Sequence, residues 1–74
     1  SRAETRIVNV EINGEPRQLR SGATVAAMLA EIGIEKPTGI AVAVNARVVT
    51  RAAFEAHTLS DGDAIEIIRA VAGG

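Results

Sequence analysis

The stretch Val8-Asn9-Val10-Glu11-Ile12-Asn13-Gly14, residues 8–14, alternates apolar and polar side chains and then closes on a dipeptide suited to reversing the chain. A period of two puts Val8, Val10 and Ile12 on one buried face of a strand and Asn9 and Glu11 on the other. Asn13-Gly14 supplies the two positive-φ positions of a type I′ hairpin turn. A second strand then runs through Arg17 to Leu19, with Pro16 tolerated where no ladder donor is needed. The chain therefore opens with a β-hairpin.

Working outward from it, Ser21-Gly22-Ala23 reads as a loop, and Thr24 is placed to cap a helix by accepting an amide hydrogen from the first turn. Val25, Met28, Leu29 and Ile32 fall at i, i+3, i+4 and i+7, one stripe of a short amphipathic helix, and Gly33 stops it. After the break at Lys36-Pro37-Thr38-Gly39, Ile40, Val42 and Val44 alternate with Ala41 and Ala43 as a third strand. Asn45-Ala46 turns the chain into a short Arg47-Val48-Val49 segment. Thr50 to Phe54 reads as a helical turn that plugs Phe54 into one end of the core, with Leu59 in a similar role. Asp61-Gly62-Asp63 is a turn before a final strand, Ala64 to Ile68, in which Ile65 and Ile67 point inward and Glu66 and Ile68 outward.

The order β-β-α-β-β-β predicts an α+β domain, a mixed sheet of four to five strands with one main helix packed across it. This is the β-grasp layout of ubiquitin-like domains. It implies a flexible lead-in over residues 1–7, the domain over 8–69 and a mobile tail over 70–74 ending in Gly-Gly.

Seventy-four residues hold one small core. Phe54 is the only aromatic residue and Met28 the only methionine, so that core is packed from Val, Ile, Leu and Ala. A formal net charge of −1 supplies no electrostatic footprint for nucleic acid or an anionic membrane. With no cysteine there is no disulfide framework, thiol nucleophile or zinc knuckle, and no apolar run is long enough to span a bilayer. A cytoplasmic protein with neither nucleic-acid nor membrane partners is the expectation.

Gly73-Gly74 reads either as a frayed or truncated tail or as the place where the chemistry concentrates. Without Cβ atoms, a Gly-Gly end threads a narrow channel and exposes its main chain to a partner enzyme. A terminal carboxylate is ionised near neutrality and attacks the α-phosphate of ATP to give an acyl-adenylate. That activated carbonyl then accepts sulfur, an amine or a thiol.

Other residues read more plainly. His57 lacks a nucleophile or an orienting group and is a surface or turn histidine. Asp61 and Asp63 lack the remaining oxygen ligands of a calcium loop and are turn formers, so no metal site is expected. Gly22 precedes a helix without the lysine and further glycines of a phosphate loop. Arg51 and Arg69 are each either solvated charges or anchors for an acidic partner, Arg69 being the better placed because it leads into the tail. The outward face of Ala41, Ala43, Glu66 and Ile68 is a candidate docking surface, since exposed Ile68 abuts the tail and its small neighbours permit close approach.

Gly22-Ala23-Thr24-Val25, Ala43 to Arg51, Leu59 to Ile68 and Ala70-Val71-Ala72-Gly73-Gly74 together resemble the ThiS family of sulfur carriers of thiamin thiazole synthesis. The likeness covers about Val8 to Gly74 and is most specific at Asp61-Gly62-Asp63-Ala64-Ile65-Glu66-Ile67 joined to the Gly-Gly end. Thr50 stands where the family often has proline, and Phe54 where tryptophan is common.

The resemblance implies a carrier rather than an enzyme, with no catalytic residue and no bound cofactor of its own. Gly74 would be adenylated by a ThiF-like, E1-like adenylyltransferase using ATP, then converted to a thiocarboxylate. The sulfur would come through a sulfur-transfer protein or cysteine desulfurase, and a ThiG-like thiazole synthase would receive it. Gly73, Ala72 and Val71 would thread the partner, while Ile68, Glu66, Arg69, Ala43 and Ala41 would bind it. Two alternatives remain open at this stage: a MoaD-like or other carrier serving molybdopterin, cysteine or tRNA thiolation, and a β-grasp binding module without terminal chemistry.

Overall fold

The computed structural model describes residues 6–36 and 38–69. In it the opening hairpin comprises β1 (Ile7–Ile12) and β2 (Glu15–Arg20), paired antiparallel from Ile7↔Arg20 to Ile12↔Glu15. Its turn has Asn13 at φ 52° and Gly14 at φ 84°, the double positive pair that the Asn-Gly dipeptide predicts. Strand β1 begins at Ile7, one residue before the expected boundary. Ile7 is half exposed on the face that also bears Asn9 and Glu11, so an apolar residue on the polar side hides the start of the alternation. Strand β2 is likewise longer than Arg17 to Leu19, but it is an edge strand, which is what tolerates Pro16.

Helix α1 (Val25–Glu31) is short, and its ends are well satisfied. Thr24 Oγ1 accepts the Ala27 N–H at 3.1 Å, while the Val25 and Ala26 N–H groups donate to the carbonyls of His57 and Phe54. The segment from 51 to 58 is thereby stitched to the start of the helix. At the other end Gly33, at φ 95°, donates to Ala30 C=O and Ile34 donates to Leu29 C=O, the paired bonds of a Schellman stop.

Strands β3 (Ile40–Val44) and β4 (Arg47–Val49) form a second antiparallel hairpin, followed by a 3₁₀ turn, Arg51–Ala53, and then β5 (Ala64–Arg69). The five strands lie in the order β2-β1-β5-β3-β4, with β1 and β5 parallel at the centre and the other pairs antiparallel. The α+β, β-grasp expectation therefore holds.

One face of the sheet packs on α1. Val10, Leu19, Val42, Val44, Val49 and Ile65 from the strands meet Val25, Met28 and Leu29 from the helix, with Phe54 and Leu59 closing the ends as expected. Each such side chain contributes about 1.5–3 kcal/mol when fully buried. Ile67 packs against this cluster but is only half buried.

Candidate functional site

The sheet face turned away from α1 carries the candidate docking residues, and the strand register shows how they assemble. Ala41 lies opposite Ile68, and Ala43 lies opposite both Glu66 on β5 and Val48 on β4. Cross-strand neighbours on one face stand about 4.5–5.5 Å apart, so these five side chains form one continuous patch. Ile68 is 58% exposed and Val48 75% exposed. Ala43, at 9%, is largely covered, since its single methyl sits between the taller Val48 and Glu66. It forms the floor of the patch.

Val48 is the member that sequence reasoning missed. A three-residue strand gives no alternation to read, but its pairing opposite Ala43 would have placed it on the outer face. The third exposed large apolar residue, Ile7, lies at the opposite end of this face, because β1 runs parallel to β5 with Ile12 beside Ile65.

Arg69 does not share the patch. Strand parity puts it on the same side as Ile65 and Ile67, paired with Ile40. There it lines a hollow of about 280 Å³ together with Lys36, Glu35 and Gly39 from the α1–β3 connection. Arg69 thus lies on the opposite face of β5 from Ile68 and Glu66 and their partners Ala41 and Ala43. Arg51 is further away again, in a cleft of about 420 Å³ between α1 and the 3₁₀ turn with Leu29 and Phe54 at its base. The remaining site expectations, Val71, Ala72, Gly73 and Gly74, lie outside the described residues, as do residues 1–5 of the lead-in expected over 1–7.

The aspartates before β5 do act as turn formers. Asp61 Oδ1 accepts the Asn9 backbone N–H at 2.7 Å, and Asp63 accepts from the Ser60 N–H at 2.8 Å and from Asn45 Nδ2 at 2.9 Å. Both oxygens of Asp63 and one of Asp61 thus accept hydrogen bonds from the chain, and no cluster of potential metal ligands exists among the described residues. His57 joins the fold through its backbone, donating to Ala53 C=O and accepting from Val25. No described helix is long and apolar enough to cross a membrane.

A β-grasp sheet with an apolar outer patch beside its last strand narrows the kin of this chain, and comparison with known proteins decides among them. Residues 10–74 match the profile of the ThiS family. The chain belongs to the ThiS family. It is 37% identical over 65 residues to the sulfur carrier protein ThiS of Thermus thermophilus, covering 88% of this chain and 98% of that one. The crystal structure of the thiamine biosynthesis protein ThiS from Geobacter metallireducens superposes with a TM-score of 0.78 at 30% identity, over 90% of this chain and 100% of the other. A stretch 35% identical over 63 residues occurs in a thiazole synthase of Paramagnetospirillum magneticum, covering 85% of this chain. The chain spans about a fifth of the length of the thiazole synthases it matches. Membership of the ThiS family thus agrees with the resemblance carried by the Asp-Gly-Asp turn and the strand after it.

Proposed function

We propose that this ThiS-family chain carries sulfur as a thiocarboxylate on Gly74 for assembly of the thiamin thiazole. The Gly74 carboxylate attacks the α-phosphate of ATP on a ThiF-like adenylyltransferase, pyrophosphate leaves, and a sulfur nucleophile then displaces AMP from the acyl carbon. A sulfur-transfer protein or cysteine desulfurase supplies that sulfur. A ThiG-like thiazole synthase accepts it.

The carrier is a protein co-substrate rather than an enzyme, works in the cytoplasm and holds no cofactor of its own. ATP and the sulfur donor belong to its partners. Gly73, Ala72 and Val71 thread the activating enzyme. Ile68, Glu66, Ala41 and Ala43, joined by Val48, dock it, and Arg69 makes a separate contact at the root of the tail.

The observation that carries this reading is the near-complete overlap with a protein named a sulfur carrier, 98% of its length at 37% identity. The stretch shared with proteins named thiazole synthase supports a synthase as the acceptor.

Intact-mass measurement tests it. After incubation with ATP, the activating enzyme and a sulfur source, the chain gains the difference between sulfur and oxygen at its terminus. A chain lacking Gly74, or extended beyond it, shows no such gain. A gain in either variant refutes terminal thiocarboxylate chemistry.

A further inference from the structure

The chain has asparagines at positions 9, 13 and 45, and only Asn13 is followed by glycine. The main-chain nitrogen after an asparagine is a nucleophile for the side-chain amide carbon, and glycine carries no Cβ to crowd that nitrogen. Asn45 precedes Ala46 and Asn9 precedes β-branched Val10, so both have a shielded neighbour. Asn13 and Gly14 are exposed at the tip of the first hairpin, and nothing lies within 4 Å of where a Gly14 Cβ would stand. Water reaches the pair, and the turn has room to change shape.

The fold holds the reaction back. Attack needs the nitrogen and the amide carbon at about 3–3.5 Å and aligned. The Asn13 amide is fixed elsewhere, on β5: the Ile67 N–H donates to its Oδ1 at 2.8 Å, and its Nδ2 donates to Ile67 C=O at 3.4 Å. An amide held at both of its polar atoms by another strand turns toward Gly14 only when that end of β5 lets go.

We propose that Asn13 is a deamidation site gated by β5, and that its conversion makes the opening permanent. The Gly14 nitrogen attacks Asn13 Cγ and loses its proton, and the Cγ–Nδ2 bond breaks to release ammonia. The cyclic imide then takes up one water at either carbonyl. One opening gives aspartate; the other gives isoaspartate, in which the main chain runs through Cβ and Cγ. Water is the only co-reactant. Neither product restores the clamp. Aspartate sets an anionic oxygen where Nδ2 donated, facing Ile67 C=O, whereas isoaspartate lengthens the two-residue turn by a methylene and leaves its carboxylate on Cα. Glu66 and Ile68 of the outer patch flank Ile67, so the loosening falls on the strand that carries them.

The test keeps the full chain in warm, mildly alkaline buffer beside a synthetic peptide of residues 7–17, which has the dipeptide without β5. The expected result is a gain equal to exchanging an amide for a carboxyl, located at Asn13 by fragmentation of the digest, with isoaspartate mapped to that position. The chain should convert at least tenfold more slowly than the peptide. In the converted chain, amide exchange at Ile67 should quicken more than at Val42. A freshly prepared Asn13→Asp chain, shown folded by circular dichroism, should shift Ile67 in the same direction. Conversion at Asn9, Asn45 or Gln18 ahead of Asn13, no conversion of the chain by the time the peptide has fully reacted, equal rates in chain and peptide, or unchanged protection at Ile67 after conversion would each overturn the proposal.

Discussion

The side-chain amide of Asn13 extends the β1–β5 ladder by one rung: its Oδ1 accepts the Ile67 N–H at 2.8 Å and its Nδ2 donates to Ile67 C=O at 3.4 Å. At Asn13 the backbone turns away into β2 while β5 runs on to Arg69, so a side chain takes over from the departing main chain. Asn45 does the same at the other end of β5. Its Oδ1 accepts from Ala64 N–H and its Nδ2 donates to Asp63 Oδ1, both at 2.9 Å. Each asparagine is at φ 52° in a hairpin turn, and each clamps one end of the strand that leads into the tail.

Replacing Asn13 by glycine keeps the positive φ, removes the clamp and adds about 0.5–1 kcal/mol of unfolded-state freedom. With the net worth of the lost hydrogen bond, we expect a loss of about 1–2 kcal/mol. Amide hydrogen exchange at Ile67 should quicken more than at Val42 on the neighbouring strand. Unchanged protection at Ile67 would show that the clamp contributes nothing.

Ala46 is held at φ 71°, a conformation that costs an L-residue with a Cβ about 1–2 kcal/mol. Glycine removes that strain but adds about 0.5–1 kcal/mol of unfolded-state freedom. Ala46→Gly should therefore stabilise the domain by up to about 1.5 kcal/mol, seen as a higher urea midpoint with an unchanged slope. A lower midpoint would mean that the turn is not strained.

Leu29 is 2% exposed on the helix and Ile65 1% exposed on β5, both within the core. Truncating either to alanine should cost about 2–5 kcal/mol, a large part of the stability of so small a domain. Ile67→Ala should cost less than either, since Ile67 is half buried. Denaturant titration measures all three, and losses below about 1 kcal/mol for Leu29→Ala and Ile65→Ala would be incompatible with the packing described.

The order of elements was legible because each is announced locally: Asn13-Gly14 by its turn chemistry, Thr24 by its capping oxygen, Gly33 by its positive φ and the helix by the spacing of Val25, Met28 and Leu29. The outward placement of Glu66 and Ile68 followed from parity with Ile65. What could not be read depends on contacts between segments far apart in sequence. The amide clamps of Asn13 and Asn45 require knowing that β5 lies between β1 and β3. The burial of Ala43 requires knowing which tall side chains stand beside it. The same parity places Arg69 on the inner side of β5, apart from Ile68.

Ile68 tests docking apart from folding. It is 58% exposed on the face opposite the helix, so Ile68→Glu should change stability by no more than about 0.5 kcal/mol. Partner binding should suffer instead. A pocket shaped around Ile68, Ala41 and Val48 would have to desolvate a carboxylate lacking a counter-charge, already beside Glu66 on the same strand face. Affinity for the activating enzyme or the thiazole synthase should fall at least tenfold, about 1.4 kcal/mol, by calorimetric titration. Val48→Glu should weaken the same partner while Ile7→Glu, at the far end of the sheet, should not. A stable Ile68→Glu chain that binds both partners as tightly as before would remove this patch from the docking surface.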